Sequence, residues 1–214
     1  MKLYGAPLSN YFNMVKHALL EKGLEFEEVE LRPSQDPGFL KMSPMGKVPV
    51  LETDKGFLTE TDAILDYIDE AFPQHALFPR DPYARAKVRQ VMKMQELYVE
   101  TPVHNLVGVL FNREIPQHVR DATQPAAKKG LAALGRLVRF NPWICGEEMT
   151  AADIFVFYSF SLSNRLTKQV YGWDMLQEIP GLAAWYQCFM GRGVAIDIVK
   201  SNKAAVEALA RNKN

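Results

Sequence analysis

The chain has few cysteines, no excess of charge of either sign and no long apolar run. Only Cys145 and Cys188 occur among its 214 residues, outside CxxC spacing, which favours two buried free thiols over a disulfide or a metal site. Its 25 basic and 25 acidic side chains give a formal net charge of zero, so no basic excess would attract nucleic acid or an anionic membrane. The four histidines fall in no ligand spacing, and we predict no metal.

A membrane span and a targeting leader are not indicated either. The longest apolar-rich stretch, residues 154–162, is too short to cross a bilayer. The chain opens with MKLYGAP, which predicts a strand and a turn rather than a basic and apolar leader. Because 48% of the residues are apolar, a full core can form. We therefore expect a soluble, cytoplasmic protein of one large domain or two modest ones.

Residues 1–72 alternate between strand and helix patterns, whereas the rest of the chain shows helical patterns alone. A right-handed crossover would make the first two strands parallel, and a hairpin would add an antiparallel end. Three prolines within ten residues then predict a linker. We predict strands at 2–5, 26–31, 48–51 and 56–59 and helices at 14–22, 62–72, 83–110 (bent near Pro102), 117–138, 152–166, 181–190 and 194–210. The predicted domains are 1–74 and 84–214, joined by a linker at 75–83.

Thr150 precedes the helix predicted at 152–166, and Asp153 lies in its first turn. This helix is apolar nearly all round. A buried helix cannot leave its first N–H groups to water, so it needs an internal cap. Asp153 could also be a catalytic acid. We favour the cap.

Two unusual pairs stand in the first half of the chain. Val48-Pro49 interrupts a strand pattern with a residue that donates no ladder hydrogen bond. Either this strand lies at an edge, or Pro49 leaves a neighbouring backbone group unpaired. Glu60-Thr61 directly precedes a helical pattern, and an acid and a hydroxyl at a helix start suit a molecule with both a carboxylate and an amine.

Ser9 stands where the first strand leads into the first helix. A hydroxyl at a half-positive helix end can donate to an anion. Alternatively, Ser9 or Asn10 caps the helix, and this segment by itself does not decide between the two.

Taken together, these motifs resemble the glutathione transferase family over essentially the full length. The resemblance implies a glutathione transferase fold, an α/β thioredoxin-like N-terminal domain followed by an all-α C-terminal domain. The residues that carry it are Ser9 with Val15, Gly46-Lys47-Val48-Pro49, Glu60-Thr61-x-Ala63-Ile64-x-x-Tyr67 and Thr150-x-x-Asp153.

The resemblance also implies how glutathione is held. Pro49 matches the family's cis-proline, which lets the Val48 backbone pair with the cysteinyl part of glutathione. Glu60 and Thr61 match the pair that binds the γ-glutamyl end, with Thr61 in place of the more usual serine. Lys47 would lie near the glycyl carboxylate.

Ser9 matches the position that hydrogen-bonds the glutathione sulfur. Serine cannot form a mixed disulfide, so conjugation or isomerisation is favoured over redox chemistry. The isomerase branch usually carries a Ser-Ser-Cys cluster, whereas this chain reads Leu8-Ser9-Asn10-Tyr11. We therefore predict a transferase that conjugates the glutathione thiolate to a hydrophobic electrophile and acts as a homodimer.

Two alternatives remain, a non-catalytic binding or stress-response interaction protein of the same fold, and a redox enzyme that uses Asn10 or Asn13 in place of a cysteine.

The electrophile is expected between the domains. For its aromatic candidates, core packing is the alternative, and for Arg165 the alternative is an ordinary surface charge at a helix C-terminus. The candidate pocket residues are Leu8, Phe12, Tyr98, Phe157, Tyr158 and Arg165.

Overall fold

The computed structural model describes residues 1–211. The predicted helical domain extends past that limit, and its residues 212–214 lie outside the described part of the chain. The strands are β1 (Lys2–Gly5), β2 (Glu27–Glu30), β3 (Val50–Thr53) and β4 (Gly56–Leu58). The helices are α1 (Asn10–Glu21), α2 (Pro37–Leu40), α3 (Thr61–Ala71), α4 (Pro82–Gln95), α5 (Thr101–His104), α6 (Gln117–Leu134), α7 (Ala151–Tyr171), α8 (Leu182–Met190) and α9 (Gly193–Arg211), with a π-helical segment at Glu96–Glu100 and 3-10 turns at Val107–Phe111 and Met175–Gln177.

The four strands form one mixed sheet in the order β2-β1-β3-β4. β1 pairs parallel to β2, while β3 pairs antiparallel to both β1 and β4. The predicted parallel pair and antiparallel hairpin are therefore confirmed. Pro49 lies just before β3 rather than inside it, so β3 can be a central strand with an intact ladder.

The chain divides into two compact units, and the first of them is discontinuous in sequence. It contains Met1–Leu77 together with the described residues from Met190 on, while Phe78–Phe189 forms the second unit. Apolar residues of β1, β3, α1 and α3, such as Leu3, Val15 and Ile64, form the core of the first unit. α9 packs against α1 in the same unit.

A buried ion pair ties α1 to α3 and to the end of the first unit. Lys22, at the C-terminal end of α1, places Nζ 3.3 Å from Asp69 Oδ1 in α3. The same ammonium group donates to the Gln74 and His75 carbonyls at 2.9 and 3.0 Å. Asp69 Oδ1 also accepts from the Leu77 N–H at 2.6 Å. These contacts fix the segment that follows α3.

The second unit is helical in its described residues, as predicted. The prediction for its first long helix, however, is wrong. The pattern at 83–110 predicted one helix bent near Pro102. The structure instead leaves α-helical geometry earlier, with the π-helical segment Glu96–Glu100. Close packing accompanies this change, since a side chain on Gly130 of α6 would collide with the Tyr98 backbone.

The capping function predicted for Asp153 is confirmed. Its carboxylate accepts from the Thr150 N–H at 2.8 Å and the Thr150 hydroxyl at 3.2 Å, which forms the cap of α7. It also accepts from the Ile144 N–H at 2.8 Å and from Trp185 Nε1 at 2.9 Å. Burial raises the pKa of this carboxyl above its usual range, although the four hydrogen bonds act in the opposite direction.

The described residues contain no helix that is long and apolar enough to cross a membrane. Within the same residues, no group of three or more His, Cys, Asp or Glu side chains could hold a metal ion. Cys145 and Cys188 are both free thiols. The expectation that both are buried is wrong, since Cys188 is exposed in α8 and Cys145 is only half-buried.

Candidate functional site

The sheet topology brings the three predicted binding segments to one end of the sheet. β1 ends at this end with Gly5, and Ser9 follows four residues later, just before α1. β3 runs antiparallel, with Val50 opposite Tyr4, so Val48-Pro49 enters the sheet at the same end. β4 is antiparallel to β3, with Leu58 opposite Leu51, so its last residue again points toward this end. Glu60 and Thr61 follow there and begin α3.

Ser9 is the N-cap of α1, which was one of the two interpretations left open for this residue. Its Oγ accepts from the Phe12 N–H at 3.2 Å, and its own N–H donates to the Ala6 carbonyl at 2.9 Å. The helix starts at Asn10, four residues before the predicted start, because this cap satisfies its first turn. A capping hydroxyl uses an acceptor lone pair, so its hydrogen stays available for donation. The cap is therefore compatible with binding an anion.

The Val48–Pro49 peptide bond is cis, as the family resemblance implies. Within residues 1–211, no protein group pairs with the Val48 N–H or carbonyl, and Val48 is half-buried. Ser43, which is 1% exposed, fixes the backbone just before it. Its hydroxyl donates to the Lys47 carbonyl at 2.7 Å and accepts from the Lys47 N–H at 3.0 Å. Val48 thus offers a free backbone edge on a braced loop.

Gly46 is required by the same loop. Its φ is +65°, and a Cβ there would collide with the Ser34 carbonyl. The Ser34 N–H donates to the Gly46 carbonyl at 3.1 Å, which joins the segment after β2 to the segment before β3. The Lys47 side chain is exposed at this point.

Glu60 and Thr61 meet the start of α3 in different ways. Glu60 has a φ of +64°, an uncommon conformation for a non-glycine residue, and its side chain is exposed and makes no cap hydrogen bond. Thr61, 6% exposed, is the first residue of α3. Asp62 adds a second carboxylate in the first turn. The helix N–H groups suit a ligand carboxylate, whereas the two acids suit an amine.

Three of the candidate pocket residues are core residues instead. Phe12 is 2% exposed and belongs to the core of the first unit, where its ring faces Gly5. Phe157 is 0% and Tyr158 2% exposed. The Phe157 ring lies 5.0 Å from Tyr158 and 4.7 Å from Tyr186 between centroids. Core packing, the alternative considered for these aromatics, accounts for all three, and we do not retain them as pocket walls.

The remaining pocket candidates keep free surface. Leu8 is half-buried, Tyr98 is 55% exposed and Arg165 is exposed. Arg165 lies six residues before the end of α7 because that helix continues to Tyr171, so it is not the helix-terminal charge that the sequence suggested. Their contact with an electrophile stays a prediction.

Sequence reasoning missed Ser43 and the role of Asn13. Ser43 precedes Lys47 by four residues, a spacing that lets a hydroxyl close a tight loop, but no periodicity marks it. Asn13, 3% exposed, donates from Nδ2 to the Pro7 carbonyl at 2.9 Å. A buried amide within the first helix could have indicated such a bond, because buried polar groups are nearly always paired.

The sheet, the cis-proline loop and the helical second unit define a thioredoxin-like domain joined to a helical domain. The chain matches the family model "Glutathione S-transferase, N-terminal domain" over residues 3–76 and "Glutathione S-transferase, C-terminal domain" over residues 117–188. A glutathione transferase structure from Populus trichocarpa has the same fold, with a TM-score of 0.81 at 22% identity, covering 95% of this chain and 99% of that one.

Curated relatives agree with the family models. A glutathione S-transferase of Pseudomonas putida is 42% identical over 206 residues, which cover 96% of this chain and 93% of that protein. A maleylacetoacetate isomerase of Pseudomonas aeruginosa is 29% identical over 199 residues, 88% of this chain and 93% of that protein. The chain belongs to the glutathione S-transferase family. It is accordingly a glutathione transferase, with glutathione as its co-substrate.

Proposed function

We propose that this transferase activates the glutathione thiol with the Ser9 hydroxyl and conjugates the thiolate to a small hydrophobic electrophile. The observation that supports this most directly is the geometry of Ser9. Its Oγ accepts the Phe12 N–H, so the hydroxyl hydrogen is left to donate at the end of the sheet where Val48 and Glu60 also lie. The thiol releases its proton to solvent, and the sulfur then forms a bond to the electrophilic carbon. In a substitution the bond to the leaving group breaks and that group departs as an anion. In an addition the π bond of the electrophile opens and the resulting carbanion takes a proton from solvent.

The energy required matches what one hydroxyl can supply. A thiol with a pKa of about 8.5 is only a few per cent thiolate at neutral pH. Lowering that pKa by about two units takes roughly 2.7 kcal/mol of preferential anion stabilisation. A hydrogen bond to a charged group contributes about 1.5–3 kcal/mol, and the N-terminus of α1 adds a fraction more. No metal or general base is needed for this step.

The rest of glutathione is assigned to the loops around Ser9. The free Val48 backbone pairs with the cysteinyl residue as an added strand would. Thr61 and the first N–H groups of α3 bind the γ-glutamyl carboxylate, while Glu60 faces the amine. The exposed Lys47 ammonium group binds the glycyl carboxylate. Residues 1–74 would thus form the glutathione-binding domain, followed by a linker at 75–83 and the helical domain from residue 84 on.

Conjugation is favoured over isomerisation by the residues around Ser9. One relative is named for an isomerase activity, at 29% identity. This chain carries Leu8 and Asn10 beside Ser9, without the Ser-Ser-Cys cluster of the isomerase branch.

We further propose that the protein works as a cytoplasmic homodimer in detoxification, with Leu8, Tyr98 and Arg165 contacting the electrophile. Members of the family usually form twofold dimers, which supports the proposed dimer.

Two measurements test the proposal. Glutathione at about one hundred times its Kd should stabilise the protein by about 2.7 kcal/mol, which raises the melting temperature by several degrees. Ser9→Ala should then lower turnover of a model electrophile about tenfold to hundredfold at neutral pH, because the thiolate fraction falls. Ser9→Thr is the matched control, since it keeps the hydroxyl.

The outcomes separate the alternatives. No thermal shift at millimolar glutathione contradicts the binding site. Binding without turnover in the wild type favours a non-catalytic interaction protein. Equal turnover of Ser9→Ala and the wild type removes Ser9 from its assigned role.

A further inference from the structure

Two amide side chains from different helices donate to one backbone carbonyl beside the proposed nucleophile site. Asn13 of α1 places Nδ2 at 2.9 Å from the Pro7 carbonyl oxygen. Asn202 of α9 places its Nδ2 at 2.6 Å from the same oxygen. Both lone pairs of the Pro7 carbonyl are therefore used, and one of the donors comes from a helix nearly two hundred residues away in sequence.

This carbonyl is the central group of the turn that carries Ser9. The Ser9 N–H donates to the Ala6 carbonyl at 2.9 Å, so Pro7 and Leu8 are the middle residues of a β-turn. Proline at the first middle position suits both type I and type II turns, which differ by about half a rotation of the central peptide. Leu8 is not among the residues with positive φ, which excludes type II. Because Pro7 permits either turn type, the type is set by the conformation of Leu8 and by the groups that donate to the Pro7 carbonyl.

A second contact fixes α9 beside α1 and so helps to hold Asn202 in position to donate. Arg192, just before α9, forms an ion pair with Glu21 at the other end of α1. Glu21 is also 3.4 Å from His17 Nε2 in the same helix. α9 thus lies against α1 and is fixed at two places. Arg192 contacts the C-terminal end of α1, and Asn202 contacts the turn that precedes its N-terminal end.

We infer that Asn13 and Asn202 are positioning residues that fix the turn at Pro7, and thereby aim the Ser9 hydroxyl at the glutathione sulfur. The inference rests on the proposed function, because it assumes that Ser9 donates to that sulfur. If the central peptide rotates, the direction of the chain entering Ser9 changes, while the hydrogen bond from the Phe12 N–H still restrains the Ser9 side chain. Donation to the sulfur is then lost first, since glutathione itself stays bound through the other loops.

Asn202 is the residue to test, because it is half-buried whereas Asn13 is 3% exposed and its loss would damage the core. Asn202→Asp has the same shape, but its carboxylate would repel the Pro7 carbonyl. Asn202→Ala removes the donor without that repulsion and is the milder change. Asn202→Gln keeps an amide, and Lys203→Ala is the control, since Lys203 is exposed on the same helix.

The readout is the pKa of the bound glutathione thiol, measured from thiolate absorbance against pH, together with kcat and KM. Asn202→Ala and Asn202→Asp should raise this pKa by about half a unit to one unit, which lowers kcat about threefold to tenfold below the thiol pKa. At pH values above it, kcat should equal that of the wild type. KM for glutathione should stay within about twofold, because Ser9 does not hold the peptide.

A merely structural role of Asn202 would lower the melting temperature and leave the pH profile unchanged, and that result overturns the inference. So does a rise in KM with an unchanged thiol pKa. Asn202→Gln should restore most of the wild-type profile. If Ser9→Ala raises the thiol pKa and the Asn202 variants do not, the proposed function stands and only this inference fails. If wild-type enzyme leaves the bound thiol at its ordinary pKa, the proposed function itself fails.

Discussion

Replacing Asp153 with alanine should destabilise the second unit more than any surface change. The carboxylate is fully buried and accepts four hydrogen bonds, from the Thr150 N–H and hydroxyl, the Ile144 N–H and the Trp185 ring. Alanine leaves the three N–H donors in the interior with no acceptor, and it removes the Asp153 half of the capping box at the start of α7.

The magnitude follows from those donors. Each buried donor left unpaired costs about 1–3 kcal/mol, but neighbouring losses do not add fully. Relief of the buried charge offsets part of this, since burial raises the pKa of Asp153. We expect Asp153→Ala to lose about 4 kcal/mol of unfolding free energy, a large part of a typical 5–15 kcal/mol. Asp153→Asn keeps one acceptor oxygen and should lose about half as much.

Urea denaturation followed by circular dichroism measures the loss, and Glu148→Ala is the control because Glu148 is an exposed acid close to the same cap. The expected change also lowers the melting temperature by about 10 °C. A loss below about 1 kcal/mol for Asp153→Ala would refute the reasoning, since it would mean that the donors find other acceptors or water. If the alanine variant does not fold, the asparagine variant still supplies the number.

Three further predictions concern other parts of the chain. Thr61→Val should weaken glutathione binding about tenfold in calorimetry while Thr61→Ser keeps it, and equal affinity for both variants would contradict a hydroxyl contact. Lys22→Met should cost about 3 kcal/mol in urea denaturation, and adding Asp69→Leu should recover part of that loss because no unpaired buried charge remains. Burial raises the pKa of Cys145 to about 12, so about one thiol in ten thousand is ionised at pH 8. Mass spectrometry after native alkylation should therefore find the label on exposed Cys188, and comparable labelling of Cys145 would be inconsistent with this burial.

Much of the fold follows from the sequence because its signals are local. β1 coincides with the predicted strand at 2–5, and the hairpin of β3 and β4 follows from its turn residues. The helix predicted at 83–110 fails for a nonlocal reason. Its periodicity shows an apolar face, but the close approach of Gly130 to the Tyr98 backbone, which accompanies the π-helical segment, is set by packing on another helix.

The candidate site divides in the same way. Val48-Pro49 and Glu60-Thr61 could be singled out because proline rarely interrupts a strand pattern and because an acid and a hydroxyl together favour a helix start. Phe12 could not be placed, since the sequence does not tell whether an aromatic beside a site faces the ligand or the core. The bond from Asn202 to Pro7 could not be found at all, because nothing in α9 marks it as a neighbour of the first turn.

The placement of α9 also has a consequence for the order of folding during synthesis. The first unit needs the residues from Met190 on, yet the whole of the second unit is translated before them. Domains generally fold as units while the chain emerges, beginning at the N-terminus. Here the sheet can form early, but the turn before Ser9 receives its second amide only after the last described helix has left the ribosome. A nascent chain stalled short of Asn202 would therefore carry the loops proposed to bind glutathione before the turn at Pro7 has received both of its amide donors.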